Sequence, residues 1–178
     1  MDSSSGHSWW AGKVRQFRAH LRARVRPPER AALVVWLTPA QLALFDRMHV
    51  ADRRHGLDVL ATLRGNVSTG VGVAHDRAVD LDLLLAGLLH DAGKGQTGVW
   101  PRVAYALGQV YGPWIWRLAA VLPGFGPALT RLREHAEVSA TMAASAGCAA
   151  RTVELIRNQD APTDPAAGRQ LQLADEAN

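Results

Sequence analysis

The chain has 178 residues, enough for one domain with a small appendage, and 48% of them are hydrophobic, as is usual for a globular protein. Its single cysteine, Cys148, excludes an internal disulfide framework and a cysteine-based zinc site, so we expect a reducing, cytoplasmic compartment. The net charge of +4 is uneven, because residues 11–30 hold seven basic residues against one acidic residue, Glu29. With no secretory signal pattern and no apolar run of about 18 residues, we expect neither export nor a transmembrane helix.

The N-terminal part of the chain is predicted to be a short disordered start followed by a basic amphipathic helix. Apolar residues recur at helical spacing from Ser8 onward, and basic residues occupy the opposite face. Pro27-Pro28 ends this helix or marks a linker. We therefore divide the chain into residues 1–28 and a helical domain over residues 29–178.

Three interpretations of the basic segment, residues 8–26, remain open. It is a helix packed on the domain with a solvated basic face, a helix lying on an anionic membrane surface, or a segment that binds nucleic acid through phosphate contacts. Trp9 and Trp10 favour the membrane interpretation, because Trp suits a bilayer interface. Peripheral membrane contact and nucleic-acid contact are thus both candidate partnerships of this segment.

After Pro28 the apolar spacing predicts only helices. Residues 29–37 form a short helix or an apolar strap, and Thr38-Pro39 is a favourable start for the next helix. Loops are expected at residues 65–72 and 93–98. The remaining helices are predicted over residues 51–63, 74–89, 101–111, 113–122, 128–146, 149–158 and 171–177. No strand pattern competes, so the predicted fold class is all-α.

Ionisable side chains follow the most apolar helix of the chain. The run from Leu83 to Leu89 contains only Leu, Ala and Gly, and it leads directly into His90 and Asp91. Gly93 then breaks the helix and Lys94 follows. Ionisable residues at the end of a buried apolar helix are usually paired or bound to a metal. The sequence therefore indicates a metal or ion-pair site here.

The adjacent His90 and Asp91 resemble the signature of the HD superfamily of metal-dependent phosphohydrolases. That family's pattern is a His, a His-Asp pair and a distant Asp on separate helices, and the chain is similar to it at His55, His90, Asp91 and Asp175. The resemblance covers roughly residues 48–178. It implies an HD-domain-like helical bundle with these four residues as metal ligands.

The resemblance also implies a chemistry. Two imidazoles and two carboxylates suit one divalent ion such as Mn²⁺, Fe²⁺, Co²⁺, Ni²⁺, Zn²⁺ or Mg²⁺. The remaining coordination positions would hold a substrate oxygen and a metal-bound water that attacks phosphorus. The implied activity is hydrolysis of a nucleotide or another small phosphoester.

Further residues are candidates for catalysis. Lys94 would neutralise a phosphate oxygen, or it is a plain charge at a helix C-terminus. Asp58, like Asp52, would orient His55 or act as a base, or it is a surface residue or a charge that pairs along its helix. His135 resembles the additional His of many members and would hydrogen-bond the substrate phosphate, or it is structural.

The chain departs from the two-metal members of the family, in which a His follows the Ile of the next helix. Asn158 and Gln159 stand there instead, which favours a single metal. Asp160 is a rival for the last ligand, but it lies in a loop, so Asp175 is preferred. Two rival functions remain: a non-catalytic HD-like sensor or interaction domain, and an HD-like metal-dependent oxygenase or lyase.

Overall fold

The computed structural model describes residues 22–69 and 80–178, and side chains within residues 22–65 and 80–178. These ranges contain helices, and no residue within them forms a strand, which confirms the all-α prediction. The α-helices in chain order are α1 (Pro27–Val34), α2 (Pro39–Arg47), α3 (Val50–Thr69), α4 (Leu81–Leu89), α5 (Val99–Tyr111), α6 (Trp114–Ala119), α7 (Phe125–Ser145), α8 (Ala150–Arg157) and α9 (Ala167–Ala177).

The chain around Pro27-Pro28 differs from the prediction. The predicted basic helix lies mostly outside the described residues, and residues 23–26 are not helical. Pro27 is the first residue of α1 and so starts a helix instead of ending one. Proline is favoured there because its missing N–H needs no partner at a helix start. The Glu29 carboxylate accepts a hydrogen bond from the Arg26 backbone N–H at 2.7 Å and holds this start in place.

Several boundaries also differ from the predicted ones. Helix α3 continues to Thr69, so the predicted loop from residue 65 begins later than expected. Helix α4 begins at Leu81 with Asp80 as its N-cap, whose carboxylate accepts from the Leu83 N–H at 3.1 Å. Residues 74–79 of the predicted α4 lie outside the described residues. Helix α9 begins at Ala167, one turn earlier than its apolar spacing predicted.

Helix α4 is the central helix of the fold and packs against α3, α8 and α9. Two glycines let α3 and α4 approach closely. A Cβ at Gly56 would lie 2.5 Å from the Leu88 carbonyl oxygen, and one at Gly87 would lie 2.6 Å from Leu63 Cδ1. Because neither glycine has a side chain, the two backbones meet where His55 and His90 are attached.

Helices α5 and α6 pack against each other and against α7, at the edge of the bundle. They carry many of the exposed large apolar side chains of the described residues. No helix in the described part of the chain has the length and apolar character needed to cross a membrane.

Candidate metal centre

Three of the predicted ligands come together from three helices. His55 lies on α3, His90 directly follows α4, and Asp175 lies on α9. Asp175 Oδ1 lies 2.7 Å from His55 Nε2 and 3.4 Å from His90 Nε2. One ligand atom from each of the three residues lies within 4.8 Å of the others, so this group could hold a metal ion.

The His90 imidazole is buried, with 2% of its side chain exposed, and it is oriented by its own helix. Its Nδ1 N–H donates to the Gly87 carbonyl at 3.0 Å. In the neutral ring this bond leaves the lone pair on Nε2, and Nε2 is buried without a hydrogen-bond partner. A metal-ligating histidine typically has this arrangement, with one ring nitrogen bound to a carbonyl and the other left for the ion.

The electrostatics of the cluster favour a cation at its centre. Burial of His90 opposes its protonation, but the negative charges of Asp91 and Asp175 outweigh burial and raise the pKa of His90 to about 9. Burial likewise opposes ionisation of Asp175, yet the hydrogen bond with His55 and the nearby His90 imidazole hold its pKa far below the usual range. The carboxylates of Asp91 and Asp175 thus stay ionised. A proton on a histidine or a bound metal ion would balance their negative charge.

Asp91 occupies a different position from the other three residues. Its Oδ2 accepts a hydrogen bond from Lys94 Nζ at 2.6 Å. Its Oδ1 is buried without a hydrogen-bond partner and lies 3.5 Å from His90 Nε2. Asp91 does not belong to the group of mutually close ligand atoms that His55, His90 and Asp175 form among the described residues. Of the four predicted ligands, three converge and Asp91 adjoins them through His90.

Two buried atoms without hydrogen-bond partners, His90 Nε2 and Asp91 Oδ1, indicate whether the residues fit a metal ion. Burying a polar atom without a partner costs about 1–3 kcal/mol, so two such neighbouring atoms require an explanation. Both are acceptors when the imidazole is neutral, and both adjoin the His55 and Asp175 pair. A divalent cation would satisfy this set of nitrogen and oxygen donors. The residues present therefore fit a metal ion.

Lys94 lies in the 3₁₀ turn Ala92–Lys94 that follows the His-Asp pair. Burial opposes its charge, but Asp91 and Asp52 outweigh burial and raise the pKa of Lys94. The turn is fixed to α7, since the Gly93 N–H donates to Ser139 Oγ at 2.8 Å. A Cβ at Gly93 would lie 2.5 Å from the His135 carbonyl oxygen. The ammonium group of Lys94 is consequently held beside the candidate site.

His135 reaches the other side of Asp91 from α7. Its Nδ1 N–H donates to the Leu132 carbonyl at 2.8 Å, and its Nε2 lies 3.7 Å from Asp91 Oδ1. Burial and the positive charge of Lys94 lower the pKa of His135. The ring is therefore neutral at pH 7 and offers a lone pair on Nε2 next to the site.

Asp58 is placed away from the role predicted for it. Its carboxylate accepts two hydrogen bonds from Arg54, at 3.1 and 2.7 Å, and Arg54 also donates to Glu29 at 2.6 Å. The side chain of Asp58 is 45% exposed. Its described hydrogen bonds thus form an ion-pair network on the outside of α3, because Arg54, one turn earlier, shares its face. We do not assign Asp58 a part in the site.

A buried network that the sequence did not predict lies next to Lys94. Arg102 on α5 donates two hydrogen bonds to Asp52, at 2.7 and 2.6 Å, and a third from Nε to the Thr97 carbonyl at 3.0 Å. Thr97 Oγ1 donates to the Lys94 carbonyl at 2.6 Å. This network ties α3, α5 and the loop after the His-Asp pair together. Its one signal in the sequence is Asp52, three residues before His55 and therefore on the same inner face of α3.

The segment after Ile156 holds the backbone of the site. Gln159 is buried, and its Nε2 donates to the His90 carbonyl at 3.4 Å. Asn158 donates to Thr163 Oγ1 at 3.3 Å. Asp160 is exposed and is not part of the ligand group formed by the described residues, in which Asp175 is the carboxylate.

Comparison of the chain with models of known protein families, with curated proteins and with solved structures yields no match. The resemblance to the HD superfamily consequently depends on the chain's own residues.

Proposed function

We propose that the protein is a metal-dependent phosphohydrolase that binds one divalent ion at His55, His90, Asp91 and Asp175. The observation that supports this most directly is the pair of buried polar atoms without hydrogen-bond partners, His90 Nε2 and Asp91 Oδ1, beside the ligand group. Three helices and a turn supply these residues, so the site exists only in the folded chain.

The chemistry follows from the ligand set and its neighbours. A bound divalent ion supplies an activated water and neutralises charge on a phosphoryl oxygen. Lys94 holds a second positive charge beside Asp91, where it stabilises negative charge that develops on the phosphate. His135 carries a lone pair on Nε2, so it is suited to accept a proton from the attacking water and not to donate to the phosphate.

We infer a nucleotide or another small phosphoester as the substrate, in a reducing cytoplasmic compartment consistent with the single Cys148. The catalytic assignments within this proposal are Lys94 for charge and His135 for the proton. No other carboxylate takes the role that was predicted for Asp58, because Arg102 binds the carboxylate of Asp52.

The test combines metal content with activity. Wild type, Asp91→Ala and the surface control Asp58→Asn are purified without chelator, analysed for metals, and assayed on p-nitrophenyl phosphate, bis-p-nitrophenyl phosphate and a nucleotide panel. We expect about one ion per chain and hydrolysis in wild type and control, and loss of both in Asp91→Ala. No ion after reloading with Mn²⁺ or Ni²⁺ would refute the proposal.

A non-catalytic HD-like domain is the second candidate, and the Lys94–Asp91 ion pair favours it. This contact of 2.6 Å compensates one carboxylate without a metal. Such a scaffold would bind no ion and would tolerate Asp91→Ala only if Lys94 were neutralised as well. A double variant, Asp91→Asn with Lys94→Met, that folds as stably as wild type, together with an ion-free wild type, would support the scaffold. About two ions per chain would instead point to a two-metal enzyme such as an HD-like oxygenase.

A further inference from the structure

Exposed large apolar side chains are concentrated on α5, on α6 and in the turn after α6. Trp114, Leu118 and Val121 recur at helical spacing and are 55%, 63% and 82% exposed. Trp100 and Val110 extend the surface along α5, and Leu122 extends it after α6. Single exposed apolar residues need no explanation, but a group of this kind marks an interaction site. We call these six residues the hairpin surface.

The charged residues of the segment that contains α5 and α6 are all basic. From Ala92 to Arg133 the sequence contains no Asp or Glu, whereas it contains Lys94, Arg102, Arg117, Arg131 and Arg133. The first two are neutralised inside the fold by Asp91 and Asp52. The other three form no ion pair with a carboxylate of the described residues. Apolar side chains and unneutralised arginines thus share one edge of the bundle.

The helix α5 has two different faces. Its inner face carries Arg102, which is bound to Asp52 and the Thr97 carbonyl, and Tyr105, whose ring stacks on Trp116 with centroids 5.5 Å apart. Gly108 lets Trp116 donate to the Tyr105 carbonyl at 3.0 Å, so α6 is fixed to α5. The inner face therefore anchors the hairpin, whereas Trp100 and Val110 of α5 are exposed.

We propose that the hairpin surface docks the protein onto an anionic lipid bilayer. Exposed Trp and aliphatic side chains insert into the headgroup boundary, while adjacent Arg side chains meet anionic headgroups. A protein partner with an apolar groove would also cover the apolar side chains. A bilayer is favoured because the segment of 42 residues has basic side chains and no carboxylate, which complements a surface of uniform negative charge. None of the six residues of the hairpin surface belongs to the candidate metal centre, so lipid binding does not depend on the proposed function.

The test compares the full chain with two surface variants. The first, Trp114→Ser/Leu118→Ser/Val121→Ser, removes the centre of the hairpin surface. The matched control, Val34→Ser/Val35→Ser, removes the apolar side chains of the last residue of α1 and of its C-cap, which are also more than half exposed. All proteins keep the basic segment of residues 8–26, so its contribution to binding is the same in each. Thermal melting first establishes that the exposed substitutions leave the fold intact.

Binding is measured by co-sedimentation with two kinds of vesicle: anionic vesicles of phosphatidylglycerol and phosphatidylcholine, and vesicles of phosphatidylcholine alone. We expect wild type and control to bind the anionic vesicles, with partitioning reduced by high salt, and the triple variant to bind about tenfold more weakly. Equal binding by the triple variant and wild type would overturn the proposal, as would binding to neither vesicle. A wild-type dimer that the triple variant converts to a monomer would show that a second copy, and not lipid, occupies the surface.

Discussion

Replacing Asp175 tests whether this residue is a metal ligand or only a member of a structural ion pair. In the metal-free protein Asp175 Oδ1 contacts His55 Nε2 at 2.7 Å, but its side chain is 45% exposed and lies near the chain end. Solvent screens such a pair, so Asp175→Asn should lower the free energy of unfolding of the metal-free protein by no more than about 1 kcal/mol. The same change removes a ligand that the proposed ion needs.

The expected effect on metal-induced stabilisation is larger. An ion present at about 100 times its Kd stabilises the folded chain by about 2.7 kcal/mol. In a protein of this size 1 kcal/mol shifts Tm by about 2–4 °C, so the ion should raise the wild-type Tm by about 5–11 °C. If the missing ligand weakens binding about 100-fold, the variant gains only about 0.4 kcal/mol at the same concentration, or about 1–2 °C.

The assay is thermal unfolding of each protein with chelator and with excess Mn²⁺, Ni²⁺ or Zn²⁺. Asp58→Asn is the matched control, because its carboxylate is also 45% exposed and also paired, with Arg54. We expect the control to keep the full metal-induced rise in Tm and Asp175→Asn to lose most of it. An equal rise in all three proteins would refute the assignment of Asp175 as a ligand.

Three further predictions concern the turn after the His-Asp pair and His90. Gly93→Ala should lower the free energy of unfolding by about 1–3 kcal/mol in urea, because its Cβ would lie 2.5 Å from the His135 carbonyl oxygen; an unchanged value would contradict this close approach. Lys94→Met should lower kcat on the best phosphoester about 100-fold at unchanged metal content, whereas loss of the metal itself would indicate that Lys94 organises Asp91. The metal-free protein should lose stability as pH rises from about 6.5 to about 9. The folded state raises the pKa of His90 above its value of 6.5 in the unfolded chain, so its contribution is complete below pH 6.5 and disappears through pH 9. Denaturation at several pH values should show this slope in wild type and a flatter one in His90→Gln.

The helical class and most helices could be predicted because apolar spacing dominates this chain. The boundaries were harder, since capping and tertiary contacts decide them. Pro27 shows the difficulty: as a helix breaker it suggests an end, but as a first helical residue it marks a beginning. The loop predicted to begin at Gly65 was wrong for a similar reason. A glycine inside a helix costs only about 1 kcal/mol, and α3 continues through it.

At the site, residue types predicted which side chains would meet, but not how each would be engaged. Of the four ligands that the resemblance to the HD superfamily implied, His55, His90 and Asp175 converge, and Asp91 lies beside them. The pairing of Asp58 with Arg54 follows from their spacing of one helical turn, but the sequence did not show that Glu29 of α1 would also bind Arg54. Arg102 could not be found at all, since its partner Asp52 is 50 residues away in the chain.

The glycines explain why this arrangement is fixed so closely to the backbone. Gly56 is adjacent to His55, and it allows α3 to touch the last turn of α4. Gly87 allows the same helix pair to close from the other side, and its carbonyl accepts the hydrogen bond that orients His90. Gly93 performs the corresponding role for the turn and α7. Since a glycine inside an α-helix costs about 1 kcal/mol relative to alanine, Gly56 and Gly87 beside candidate ligands indicate that close backbone approach outweighs helix propensity there. Substituting Gly56, Gly87 or Gly93 by alanine should therefore reduce the metal-induced rise in Tm more than an alanine placed elsewhere in α3 or α4.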